Sequence, residues 1–96
     1  MSQELTMSNV TDNSAQSQFQ LTEDGDTAIA NYRRNGDTLY IDFVESPPAL
    51  RGKGTAGRLM AGLMAIAQRQ HLKVVPICGY AAAWIRRHPD SAESAS

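Results

Sequence analysis

Ninety-six residues, 42% of them hydrophobic, make a single small domain at most. One cysteine, Cys78, excludes an internal disulfide and predicts a cytoplasmic setting, and no apolar run approaches the roughly 20 residues of a membrane helix, so no membrane partner is expected. The net charge of −1 conceals a basic centre: all nine Lys and Arg lie between Phe19 and Pro89 against six acids, Glu23, Asp24, Asp26, Asp37, Asp42 and Glu45, which leaves +3 there. That excess, without a basic stripe, suits a small anion better than nucleic acid.

Residues 1–17, rich in Ser, Gln, Asn and Thr and without the basic and apolar regions of a secretion signal, read as a disordered leader. Residues 90–96 read as a disordered tail, which leaves 18–89 as the folded domain. "FQL" and "TAIANYRR" are two short strands separated by the turn-prone "TEDGD". Asn35-Gly36-Asp37 signals a hairpin, because Asn-Gly accepts the positive φ angles of such turns. The strand that follows, residues 38–44, alternates Leu39, Ile41 and Phe43 with Tyr40, Asp42 and Val44, which sends the first three to one face.

Pro47 and Pro48 end that strand, and a glycine-rich basic loop, residues 51–54, opens a helix predicted over 55–70. Leu59, Met60, Leu63, Met64, Ile66 and Ala67 recur at helical spacing and form its apolar face. Residues 72–78 form a further strand, and "YAAAWIRRH" a short helix stopped by Pro89. The expected fold is therefore α/β of the α+β kind: antiparallel strands leading into a βαβ unit, with a central helix and a short C-terminal one.

In a βαβ unit the loop after the first strand and the end of the second lie on one edge of the sheet, where ligands favour binding. Gly52 and Gly54 let backbone approach a ligand there, and the first-turn N–H groups of the helix have no intrahelical acceptors. With the helix dipole and the side chains of Arg51, Lys53 and Arg58, residues 51–58 can seat a pyrophosphate. The same spacing also fits a plain connection whose charges are solvated. A P-loop is excluded because Gly54 separates Lys53 from Thr55, and no G-x-G-x-x-G is present.

Arg51-Gly52-Lys53-Gly54-Thr55-Ala56 resembles the R/Q-x-x-G-x-G/A acetyl-CoA loop of the GNAT acetyltransferase superfamily. Residues 19–89 are similar to its short, single-domain members of the YjdJ type, whose next strand ends in P-x-C-x-[FY]-A, here Pro76-Ile77-Cys78-Gly79-Tyr80-Ala81. The resemblance implies a clipped GNAT fold. It also implies coenzyme A or acetyl-CoA as cofactor, the backbone of residues 51–56 on the pyrophosphate, the pantetheine arm between the parted strands, and an unidentified amine acceptor. Larger members carry a tyrosine that protonates the departing thiolate; with Cys78 in the place of their asparagine, that position is Ile85. Short relatives commonly have His-Thr-Glu/Asp-Val before the loop, where this chain has Phe43-Val44-Glu45-Ser46 and keeps only the acid.

Cys78 and Glu45 are the residues left to carry catalysis. Cys78 ends a strand on the ligand edge, just before a helix N-terminus that favours a thiolate, so it can serve as acetyl carrier or proton relay, or simply fill the core. Glu45 can accept an amine proton or be merely solvated. Tyr80 can reach the site with its hydroxyl or pack, and Asp42 can pair with an arginine. His71, about 20 Å from Cys78 along the strand, and His88, about 12 Å beyond Tyr80, are too remote to activate the thiol, and no metal site is expected. Two functions follow, an acetyl-CoA-dependent N-acetyltransferase or a module that binds CoA without turnover, in a monomer or weak homodimer.

Overall fold

The computed structural model describes residues 9–89. Five strands, β1 (Thr11–Asn13), β2 (Gln18–Glu23), β3 (Asp26–Asn35), β4 (Thr38–Glu45) and β5 (Lys73–Pro76), form one sheet in chain order. All neighbours are antiparallel except β4 and β5, which run parallel across the helix α1 (Thr55–Arg69). The helix α2 (Gly79–Arg87) follows β5, and a 3-10 turn, Pro48–Leu50, leads from β4 into the loop. Among the described residues no helix is long and apolar enough to cross a membrane.

The strand β1 lies within the stretch assigned to the leader, so the sheet begins earlier than residue 18; residues 1–8 and 90–96 lie outside the described residues. Two of its three side chains are exposed, which leaves no alternation to read. It is held instead from a distance: the Tyr32 hydroxyl donates to Asp12 at 2.6 Å, and the Tyr32 N–H to the Ser17 carbonyl at 2.9 Å. Burial and this carboxylate push the Tyr32 phenol up to about 12.

Asp24 and Gly25 turn the first hairpin with φ of 53° and 83°, and only Gly36 is left-handed in the second. The core lies on one face, where Phe19, Leu21, Ala28, Ala30, Tyr32, Leu39 and Ile41 meet both helices. The six apolar residues expected from α1 are all buried, and Ala81 and Trp84 join them from α2. At roughly 1.5–3 kcal/mol for each large side chain, this interface is the main source of stability. Neither α1 nor α2 covers the opposite face, which among the described helical segments only the 3-10 turn reaches, at Pro48.

Phe43 departs from its expected inward position. Asn31 pairs with Phe43 and Tyr32 with Ile41, so Asp42 is an extra residue in β4. Beyond it the alternation reverses: Val44 packs against the core and Phe43 turns outward, 46% exposed. Asp42 accepts both prongs of Arg33, at 2.7 and 2.8 Å, on the open face.

The helix α1 ends in a Schellman motif, with Leu72 N–H on the Ala67 carbonyl and His71 N–H on that of Gln68. His71 occupies its left-handed position, φ 58°, where a side chain costs about 1 kcal/mol. His71→Gly is therefore expected to raise Tm by roughly 4–8 °C, as scanning calorimetry would measure; an unchanged Tm would mean that another contact offsets the strain.

Candidate functional site

The parallel strands separate at Ile41. Their pairing runs from Thr38–Lys73 to Ile41–Pro76, and the N–H groups of both Ile77 and Cys78 then turn to the single carbonyl of Ile41, at 2.9 and 3.2 Å. Two local causes act together. The extra residue at Asp42 bends β4, and Pro76 brings no donor to the ladder, which an edge strand tolerates.

The separation opens a cleft of about 400 Å³ walled by Phe43, Glu45, Ser46, Arg51, Ala56 and Tyr80. Ser46, Arg51, Ala56 and Tyr80 also line an adjoining hollow of about 240 Å³ that reaches Gly52, Gly54 and Thr55. Of the exposed large hydrophobic residues of the described chain, Phe43, Ile77 and Tyr80, two wall this cleft, Phe43 from β4 and Tyr80 from the first turn of α2, while Ile77 follows β5. Exposed apolar surface gathered at one cleft, with polar groups beside it, is characteristic of a ligand site.

Gly54 precedes α1 at φ 80° and Gly52 lies at φ 78°, conformations that favour glycine. The first backbone bond into the helix is Arg58 N–H to the Gly54 carbonyl, 3.0 Å, which leaves the first-turn donors before it without intrahelical acceptors. Arg51 lines both hollows and donates through Nε to the Ser46 carbonyl at 3.3 Å. The Ser46 hydroxyl is buried with no hydrogen-bond partner, although such groups are almost always satisfied. A polar ligand lying along this wall would satisfy it, and a loop of glycine, free N–H groups and one arginine suits an anion, so these residues fit a ligand with an anionic end and a polar group near Ser46.

The other two cations do not join Arg51. Arg58 turns to β2, donating to both Glu23 oxygens at 2.8 and 2.7 Å and to the Lys53 carbonyl at 2.9 Å. The buried Thr55 hydroxyl donates to the same carboxylate at 2.7 Å, and Lys53 lies 3.8 Å from Asp24. The expectation of an Arg58 side chain at the phosphate seat is thus corrected: Glu23 captures it from 35 positions away. Glu23 is the residue that sequence reasoning missed, since only its seat beside the Asp24-Gly25 turn hints that a hairpin tip can anchor this loop.

Arg58 first and Thr55 second hold the Glu23 carboxyl down at about 2, from 4.5. A carboxyl held low in the fold stabilises it fully above pH 4.5, and that contribution fades as pH falls towards 2. We expect Glu23→Gln to melt below the parent at pH 7, with the two Tm values converging between pH 4.5 and 2. A gap that stayed constant on acidification would mean that the pair does not anchor the loop.

Cys78 is half-buried and stands outside the cleft's lining. It is the N-cap of α2, its sulfur accepting the Ala81 N–H at 3.4 Å. Tyr80, two residues on, forms part of the cleft wall, and burial raises its phenol above the usual range. A Cβ on Gly57 would meet the Tyr80 hydroxyl at 3.9 Å, so that hydroxyl lies beside the first turn of α1. Ile85 packs against the core, while His88 stacks on Trp84 at 3.8 Å and contacts its carbonyl at 2.8 Å through Nδ1. Among the described residues no three His, Cys, Asp or Glu converge as metal ligands.

The family model described as GCN5-related N-acetyl-transferase matches residues 18–94. No curated protein matches the chain.

Proposed function

The chain belongs to the GCN5-related N-acetyl-transferase family, and from that premise we propose that it binds acetyl-CoA across the parted ends of β4 and β5 and transfers the acetyl group to an amine. The observation that carries this reading is the separation at Ile41, beside which two adjoining hollows share Ser46, Arg51, Ala56 and Tyr80, one reaching the glycine loop and the other Phe43 and Glu45. Arg51, Gly52, Gly54, Thr55 and Ala56 hold the pyrophosphate, chiefly through backbone N–H groups, with Lys53 at the rim. The Ser46 hydroxyl bonds the pantetheine arm, which accounts for its lack of a protein partner.

When bound, acetyl-CoA supplies a thioester, whose acetyl carbon gains a bond to nitrogen and loses its bond to sulfur. An ammonium acceptor sheds two protons on the way to an amide. Glu45, at the outward end of the cleft, takes the first. The second passes to the leaving sulfur, and the Tyr80 phenol beside the first turn of α1 is positioned to relay it, in place of the hydroxyl that Ile85 does not have. Cys78 lies outside the cleft's lining with a half-buried sulfur that already accepts an N–H, so it can serve the transfer only through Tyr80, two residues on, as a proton relay and not as an acetyl carrier.

A module that binds CoA without turnover is the second reading, favoured by the partly buried, aliphatic Ile85 at the position of the usual acid. One experiment separates the two: calorimetric titration with CoA and acetyl-CoA, followed by intact mass and thiol release with added amines. Binding with amine-dependent thiol release supports transfer, binding without release supports the module, and no binding at millimolar ligand removes both.

A further inference from the structure

Beyond Glu45 the open face of the sheet carries a second hollow, about 300 Å³, lined by Thr27, Ile29, Glu45, Pro47 and Pro48. Glu45 belongs to both this hollow and the cleft, so one carboxylate forms the boundary between them. We infer that this hollow seats the acceptor, and that it takes a primary amine borne on a short aliphatic chain. The inference rests on reading the parted strands as the acyl-transfer site.

The register supports it. Ile29 and Glu45 are direct partners across β3 and β4, which sets their Cβ atoms about 4.5–5.5 Å apart on the same face. An ammonium held by Glu45 therefore leaves its carbon chain lying on Ile29 and the two proline rings. Thr27 closes the far wall, its hydroxyl already shared with Thr22 at 2.8 Å, so that wall makes little demand for a polar chain. Glu45 has no ion-pair partner among the described residues, and no cationic side chain lines the hollow. An anionic acceptor would find no counter-charge there, and a large polar one would exceed a volume at the lower end of ligand sites. Neither α1 nor α2 supplies a lining residue; of the described helical segments only the 3-10 turn reaches the hollow, through Pro48, so the amine can approach from the open face of the sheet.

The test uses amide NMR on the full chain with n-butylammonium chloride as probe and 1-butanol as its neutral counterpart. Saturable shifts at Thr27, Ile29 and Glu45 are expected at roughly millimolar ligand. Butanol should bind about fivefold more weakly, the worth of an exposed ion pair. Ile29→Lys, which offers Glu45 an internal ammonium, should weaken butylammonium by at least about tenfold while CoA affinity stays unchanged, since Ile29 is outside the cofactor cleft. Shifts elsewhere on the sheet, equal response to butanol, or an unaffected Ile29→Lys variant would overturn the assignment. Absence of CoA binding in the parent protein, with butylammonium still seated, would instead remove the cofactor reading and with it the role of acceptor, leaving only an amine site. An Nα-acetyl-lysine amide titration separates sources: saturation like that of butylammonium supports a lysine side chain in this seat, and saturation by butylammonium alone supports a free alkylamine.

Discussion

Gly54→Val is expected to lower CoA affinity at least 100-fold while the domain still folds. At φ 80° a β-branched residue is strained by roughly 1–3 kcal/mol, and relief requires the peptide before α1 to rotate. Space is also short: a Cβ at this position would stand 3.1 Å from Nη1 of Arg58. That guanidinium cannot simply swing away, because Glu23 and the Lys53 carbonyl hold it through three hydrogen bonds. The backbone yields instead, and the N–H groups at the start of α1 shift relative to the hollow that Gly54, Thr55 and Ala56 line. Several phosphate contacts are then lost together, and about 3 kcal/mol of lost binding is 100-fold. Calorimetric titration measures the affinity, and far-ultraviolet circular dichroism checks the fold. Undiminished affinity in a folded variant would mean that the loop does not hold the phosphates. Gly54→Ala gives the graded comparison, with the same Cβ contact but less strain.

Much of this arrangement was legible in the sequence where the signal is local. The helical recurrence of Leu59, Met60, Leu63, Met64, Ile66 and Ala67 fixes which face of α1 is buried, and the turn residues at 24–25 and 36–37 fix two hairpins. The glycine loop could be placed because a strand precedes it and a helix follows it. What escaped depends on partners far along the chain. Asp12 reads as part of the leader until Tyr32, 20 positions on, donates to it. Arg58 reads as a phosphate ligand until Glu23 occupies it. Phe43 reads as core because a strict period of two cannot register one extra residue, and the bulge at Asp42 reverses every side chain beyond it. The same bulge opens the cleft, so the feature that defeats the alternation is also the one that makes the site.

Cys78→Ser and Cys78→Ala should separate the structural from the chemical part of that residue. As the cap of α2, the sulfur satisfies the Ala81 N–H at 3.4 Å. Serine is among the best residues for that position, so Cys78→Ser should match the parent in stability or exceed it, whereas Cys78→Ala should lose up to about 1 kcal/mol. A role confined to capping predicts that CoA affinity and acetyl transfer follow stability, with serine fully active. The relay role predicts a different pattern: both variants bind CoA normally, and both fall by about 100-fold in kcat, near the lower end of what general acid–base groups contribute. Tyr80→Phe supplies the companion measurement, because it deletes the hydroxyl beside α1 and leaves the ring that walls the cleft. If Cys78 and Tyr80 pass one proton, the double variant Cys78→Ser, Tyr80→Phe is no slower than either single one. Multiplied losses would show two independent contributions, and a fully active serine variant would reduce Cys78 to the cap on its helix.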